Sequence, residues 1–426
     1  MASGADHISN LPEGVLHHIL ALLPAEDAVR TSVLAHRWRD LWRSAPAARI
    51  AGSKGWAGGI DAFRAFVDGL LDHRRWDAPL DSCDFDLEVD PADVPAIDRD
   101  GNIWIRRALR RHVRELRFRL DTTNPRLPFT LSDQPFSSQL LARLELFGVE
   151  GNAGVLDFSR CPALEELKME GCSVGSLDMR SPSLKHLSIK YCIFYSNYRT
   201  CLSFPSLVSF KFMTNVGRAP LLESMPSLAR AKVRFDHYFD DKCRNGRLDD
   251  DCGDGCNGCH YYYGPDDYDC VFLEGLTEAS HLYLDLKWCP TFSKLKTLVL
   301  HKWFVTADFR ALTWFLHNTP LLENLILIPS KVPDNLIKTE GSYKPSGQSL
   351  ASGHLKLVTV ICKEVDQIVL NILKILNANG IHLEKISIKC SGGFTILLTS
   401  CLADGQVGGQ WQDPITFSTE WSLSNG

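Results

Sequence analysis

The chain has 426 residues, 45% of them hydrophobic and 23% charged. That composition excludes wholesale disorder, and the length predicts two or three domains rather than one core. A formal net charge of −5 excludes a global basic field for nucleic acid or anionic lipid, and no apolar run of about 18 residues occurs. The opening "MASGADHISN" lacks the basic and apolar regions of a secretory signal. The 14 cysteines therefore read as reduced thiols of a cytoplasmic or nuclear protein rather than a disulfide frame.

The first predicted element is "LPEGVLHHILALLP", residues 11–24. Leu11, Val15, Leu16, Ile19, Leu20 and Leu23 recur with helical period and form one apolar stripe. Pro12 suits the first turn, Glu13 the positive end of the helix dipole, and Pro24 the stop. "AEDAVRTSVLA" (25–35) predicts a second helix carrying Ala28, Val29, Val33 and Leu34. "HRWRDLW" (36–42) predicts a third, with Trp38, Leu41 and Trp42 at helical spacing. So small a unit buries little by itself, which leaves two readings: the apolar excess docks on this chain's next domain, or a partner covers it.

The order of these residues bears on that choice. "DHISNLPEGVLHHILALLPAEDAVRTSVLAHRWRDLW" (6–42) resembles the F-box from end to end without a gap. The resemblance implies binding to a Skp-type adaptor and, through it, a cullin. Carried over position by position, it implies that Leu11, Pro12, Ile19, Leu20, Leu23 and Pro24 meet the adaptor. Val15 and Leu16 join the same stripe, while Val29, Leu34, Trp38, Leu41 and Trp42 share the core and far edge of the interface. Removing Leu11, Leu20 and Trp38 together is then expected to abolish binding. His17 and His18 fall on the polar side and read as solvated.

Residues 1–50 form this module, and 51–110 read as a linker with first helical and strand segments. "AGSKGWAGG" (51–59) is a Gly-rich break, "IDAFRAFVDGLLDHR" (60–74) an amphipathic helix, and "SCDFDLEVD" (82–90) an alternating strand. "NIWIRRALRRHVRELRFRL" (102–120) reads as a helix entering a strand. Arg106, Arg107, Arg110 and Arg111 on it are either a solvated face balanced by acids or a phosphate contact.

Residues 111–330 then repeat one template: a large apolar residue, two others, an apolar, one other, an apolar. It appears in "LARLEL" (141–146), "LEELKM" (164–169), "LKHLSI" (184–189), "LVSFKF" (207–212) and "LARAKV" (228–233), at intervals of 23, 20, 23 and 21 residues. "LKTLVL" (295–300), "LENLIL" (322–327), "LKLVTV" (355–360) and "LEKISI" (383–388) continue it. These intervals fit leucine-rich repeats, and Cys172, Cys192 and Asn215 occupy the position where such repeats use Cys or Asn to bond a turn. The predicted fold class is α/β: a three-helix F-box followed by a leucine-rich-repeat solenoid with a concave parallel sheet. Lys185, His186 and Ser188 exemplify its solvent-facing, partner-selecting positions.

The period fails at 236–274, an insertion holding 11 acids and 3 bases, net −8. Cys252, Cys256, Cys259 and His260 are spaced closely enough to share zinc, but they lack two clean ligand pairs. A mobile acidic loop and a reversible disulfide are the other readings, and no cofactor is otherwise implied. "ASHLYL" (279–284) precedes the next strand by only 16 residues, which predicts a cramped turn at 285–294. "LKLVTVICKEVDQIVLNILKILNANGIHLEKISIKC" (355–390) predicts strand, helix and strand. It resembles the FBD region of plant F-box proteins, so 331–400 form an FBD-like end and 401–426 an irregular tail. No G-x-S-x-G, H-E-x-x-H or phosphate-cradling motif occurs, so the chain reads as a non-catalytic receptor. Its expected partners are the adaptor, a cullin through it, and an unknown protein target, without nucleic acid or membrane. The alternative is a repeat protein that binds a partner outside degradation. A small-molecule receptor would need a polar or basic pocket in the concave face.

Overall fold

The computed structural model describes residues 11–397, apart from 54, 123–127, 133, 153, 155, 196–198, 241–271, 273–274, 286–291, 303–309, 330–352 and 391–394. The chain divides into two compact units, residues 1–278 and 279–426.

Unit one opens with helix α1 (Glu13–Leu22), whose first amides at Val15 and Leu16 donate to the Pro12 carbonyl at 3.0 and 3.2 Å. Pro12 thus precedes the helix as its N-cap rather than occupying its first turn, and Pro24 caps α2 (Ala25–Arg30) in the same way. The expected third α-helix is absent. Short 3-10 turns at His36–Trp38 and Leu41–Ser44 stand in its place, and a further one at Thr31–Val33 replaces the end of the second helix, which the sequence predicts to residue 35 and which stops at Arg30. Extended backbone at Ala35 (φ −160°, ψ 161°) interrupts the chain before each stretch is long enough to propagate as α-helix. A step of three from Trp38 to Leu41 keeps both side chains inward at the 3-10 period.

The repeats follow as β1 (Ala47–Ala51), α3 (Gly59–His73), β2 (Ser82–Val89), α4 (Val94–Arg110), β3 (Glu115–Thr122), β4 (Phe129–Thr130), β5 (Arg143–Phe147) and β6 (Val149–Gly151). They continue with β7 (Glu166–Glu170), β8 (Ser173–Val174), β9 (Asp178–Arg180), β10 (His186–Lys190), β11 (Ile193–Phe194) and β12 (Cys201–Ser203). The last elements of the unit are β13 (Ser209–Arg218), β14 (Leu221–Leu222) and β15 (Arg230–Asp240), whose backbone runs past the start predicted for the insertion. The main ladder is parallel throughout, in the order β1-β2-β3-β5-β7-β10-β13-β15. Two parallel side rows, β4-β6-β8-β11 and β9-β12-β14, build the other walls of the coils after β3, while α3 and α4 connect β1, β2 and β3.

The template fixes which way each strand faces. Leu144, Leu167, Leu187, Phe210 and Ala231 stack in register as one inward row, and Leu146, Met169, Ile189, Phe212 and Val233 as a second. All ten are buried. Apart from Ala231, each such side chain stabilises the fold by roughly 1.5–3 kcal/mol, and because successive rows cover one another no repeat is stable alone. At the helical end, Trp104 stacks on Phe85 at 6.2 Å and meets Phe63 edge-on at 6.1 Å, while its indole N–H donates to Asp68 at 3.0 Å.

The turn leaving each main strand repeats too. Gly148, Gly171, Tyr191 and Thr214 hold equivalent left-handed positions, with φ of 67°, 62°, 52° and 53°. A side chain at Gly148 would place its Cβ 2.4 Å from the Leu120 carbonyl oxygen. Just beyond, the Cys172 thiol donates to the Leu146 carbonyl at 3.4 Å and the Cys192 thiol to that of Lys190 at 3.2 Å. Asn215 accepts from the Cys192 amide at 2.8 Å and donates to the Ile189 carbonyl at 3.3 Å. Cys172 and Cys192 are buried turn-bonding residues, as their place in the repeat predicts.

Unit two contains β16 (His281–Asp285), β17 (Thr297–Lys302), α5 (Arg310–Asn318), β18 (Asn324–Pro329), β19 (Leu357–Cys362), α6 (Gln367–Ala378), β20 (Ile386–Cys390) and β21 (Thr395–Leu397). β16 to β20 are parallel in chain order, and β21 closes the edge antiparallel. The Asp366 carboxylate accepts from the Ile368 and Val369 amides at 3.1 Å, capping α6, which buries Val369, Ile372, Leu373 and Leu376. The Cys-rich part of the insertion, most of the predicted cramped turn and the tail lie outside the described residues.

Candidate functional site

The apolar stripe of α1 divides in two. At 100° per residue, Leu16 and Leu20 lie roughly 110° around the helix from the cluster of Val15, Ile19 and Leu22. Leu16 and Leu20 are buried, where α1 packs on β1 and on the Leu41–Ser44 turn. Val15 stays 43% exposed and Leu22 57%, with Ile19 half-buried between them. Leu11 and Leu23 are half-buried, and Pro12 and Pro24 are exposed.

A second apolar group surrounds the 3-10 turns. Val33 is 86% exposed and Leu34 69%. Val33 borders a groove of about 650 Å³, lined also by Val29, Ala35, His36, Arg39 and Trp42. Trp38, Leu41 and Trp42 point into the chain's own core. Of the residues the sequence singles out, Leu16, Leu20, Trp38, Leu41 and Trp42 therefore hold the module together. Leu11, Pro12, Val15, Ile19, Leu23, Pro24, Val29 and Leu34 remain accessible in whole or part. Leu22 and Val33 were missed. Leu22 sits only about 20° from the outermost stripe residue on a helical wheel, a signal masked by its neighbour Leu23.

The module is fastened to the repeats by two arginines. The buried Arg74 guanidinium, just past α3, donates to the carbonyls of Trp42 (3.3 Å) and Ala45, and the Arg75 amide donates to the Arg43 carbonyl at 3.0 Å. Burial lowers the Arg74 pKa to about 10, so it stays charged at neutral pH. Arg111 in turn donates to the carbonyls of Arg75 (3.0 Å), Arg74 (3.3 Å) and Leu71 (3.4 Å). These partners come from α3's last turn and the residues after it, which satisfies backbone groups a helix end leaves unpaired. Of the arginines the sequence singles out on α4, Arg107 is balanced by acids, Asp68 at 3.0 Å and Asp72 at 3.3 Å, whereas Arg106 donates to the neutral Ser132 hydroxyl at 2.6 Å. A cleft of about 420 Å³ beside α4, lined by Ile105, Leu109, Phe136, Arg106 and Arg110 among others, lies apart from the main sheet face.

On that face, alternating outward residues form a ladder of opposite charges. Arg117 lies 3.6 Å from Asp84 and 3.9 Å from Glu145, Lys168 2.8 Å from Glu145, and Arg143 2.9 Å from Glu166. Hydrogen bonding to Glu145 holds the Lys168 ammonium above the ordinary lysine range. Two buried thiols are the opposite of nucleophiles: burial raises Cys83 to about 12 and Cys161 to about 11. Among the described residues no group of three or more His, Cys, Asp or Glu could hold a metal, and no helix is long and apolar enough to cross a membrane. Cys252, Cys256, Cys259 and His260 lie outside the described residues.

Residues 8–47 match the F-box domain family. The MEIOTIC F-BOX protein MOF of Oryza sativa subsp. japonica is 29% identical over 353 residues, 76% of this chain and 71% of that protein. An F-box/FBD/LRR-repeat protein of Arabidopsis thaliana is 26% identical over 395 residues, 84% of each chain. An F-box/LRR-repeat protein of the same plant is 28% identical over 386 residues, 78% of this chain and 95% of that one. The chain thus carries an N-terminal F-box domain and, over most of its length, is a relative of plant F-box/FBD/LRR-repeat proteins.

Proposed function

We propose that this chain is the substrate-recognition subunit of a ubiquitin ligase of the Skp adaptor–cullin–F-box type. The observation that carries the reading is the pair of apolar groups that the F-box leaves outside its own core: Val15, Ile19 and Leu22 on α1, and Val33 and Leu34 beyond α2. A chain with enough apolar surface to bury them leaves them in water, which fits a partner surface. The adaptor would cover these groups while the sheet face holds a target protein. The subunit does no chemistry in this reading. It raises the effective concentration of the target's lysines near the ubiquitin-bearing enzyme.

Capture of a purified Skp-type adaptor by the full chain tests this, with Val15→Glu/Leu22→Glu and Val33→Glu/Leu34→Glu as variants. These replace the truncation of Leu20 and Trp38, which would damage the fold instead of the interface. The expected result is capture by wild type and loss of at least about 2 kcal/mol of binding in each variant, with unchanged thermal unfolding. No capture by wild type, or equal capture by all three, would overturn it. Capture of adaptor without cullin would favour a repeat protein acting outside degradation.

A further inference from the structure

The opposite-charge ladder does not run the length of the main sheet. From β2 to β7 each outward base faces or neighbours an acid, as the Asp84–Arg117–Glu145–Lys168 row shows. Among the described side chains of β10, β13 and β15, which on β15 end at Arg234, the outward residues are His186, Ser188 and Lys190, then Ser209, Lys211 and Met213, then Arg230, Lys232 and Arg234. No acid stands among these nine. Register sets Lys211 directly beside Lys232, and like charges directly opposite destabilise a sheet. Lys190 has Glu170 at 3.9 Å, and Lys232 and Arg234 are engaged by other groups of the chain. Lys211 and Arg230 have no ion pair among the described residues. Burial lowers the Lys211 pKa, and the charges of Lys190 and Lys232 lower it further. Packing gains nothing from this arrangement, since the inward rows are complete without it.

We infer that the outward face of β10, β13 and β15 is the docking site for a polypeptide segment carrying several negative charges. This deepens the receptor reading and rests on it, because it names the class of target. The cations span three strands about 4.8 Å apart, a spread that suits successive anionic side chains of an extended peptide better than one small anion. Carboxylates and phosphorylated side chains share the required chemistry.

The test uses the full chain bound to its adaptor and a short fluorescent peptide of alternating Asp and Ser, with a second peptide carrying phosphoserine in place of Asp. Wild type should bind, and more weakly as salt rises. Lys211→Glu/Arg230→Glu should weaken binding by about tenfold or more, since several exposed charge contacts change sign together. The milder Lys211→Gln/Arg230→Gln should fall between, and Arg117→Gln/Arg119→Gln in the neutralised part should change affinity less than about threefold. Tighter phosphopeptide binding would support the inference and make phosphorylation the source of charge. Equal binding by all variants would overturn it, as would tighter binding of a single-stranded oligonucleotide than of either peptide. Adaptor capture is read on the same samples, so loss of capture marks failure of the receptor reading and loss of peptide binding alone marks failure of this one.

Discussion

The F-box and the repeats use similar apolar residues to opposite ends. In the middle coils of the repeats nearly every template residue is sealed: Leu144, Leu167 and Leu187 lie one above the next with 2% exposure or less. In the F-box, α1 buries two of its leucines and leaves Val15 and Leu22 in water. The difference teaches that a repetitive chain covers its core by stacking, whereas a short helical module with one supporting strand has too few neighbours to cover every side.

Truncation experiments can break that contrast. Trp104→Ala, at the centre of the aromatic cluster with its indole nitrogen bonded to Asp68, should cost about 3–5 kcal/mol in chemical denaturation. Leu16→Ala, on the wholly buried side of α1, should cost roughly 2–5 kcal/mol, most of it local to the F-box and visible as faster amide exchange there. Thr214→Gly should raise stability by roughly 0.5–1 kcal/mol, because a β-branched residue at φ 53° carries more strain than glycine's extra chain entropy costs. Leu34→Ser should leave the melting point of the free chain almost unchanged, within about 0.5 kcal/mol, while weakening adaptor capture. A large loss of stability in Leu34→Ser would mean that the F-box is as sealed as the repeats, and the contrast would fall.

Much of the repeat architecture was legible because period-two alternation on a fixed spacing has a single geometric meaning. The strands at Arg143, Glu166, His186, Ser209 and Arg230 each begin two residues into their template, and Cys172, Cys192 and Asn215 bond the turns as their position implies. The left-handed turn residues escaped notice, since Tyr191 and Thr214 do not look like Gly148 and Gly171 although they do the same work. The F-box helices were legible at α1 and α2, but not the 3-10 turns, whose inward spacing of three overlaps the helical pattern. Composition alone could not divide the α1 stripe. That division depends on which neighbours reach it, and β1 and the Leu41–Ser44 turn reach only the Leu16–Leu20 side. The basic end of the sheet was invisible for a related reason: Lys190, Lys211 and Arg230 are far apart in sequence and become neighbours only through register.

The arginine clasp at the end of α3 carries a mechanical consequence. With Arg74 holding the carbonyls of Trp42 and Ala45, and Arg111 holding those of Leu71, Arg74 and Arg75, the joint has little freedom to bend. A stiff joint turns the first unit into a ruler. In the proposed complex, the residue of a docked target that receives ubiquitin would be chosen by where the target sits along the strands, not by how far a tether swings.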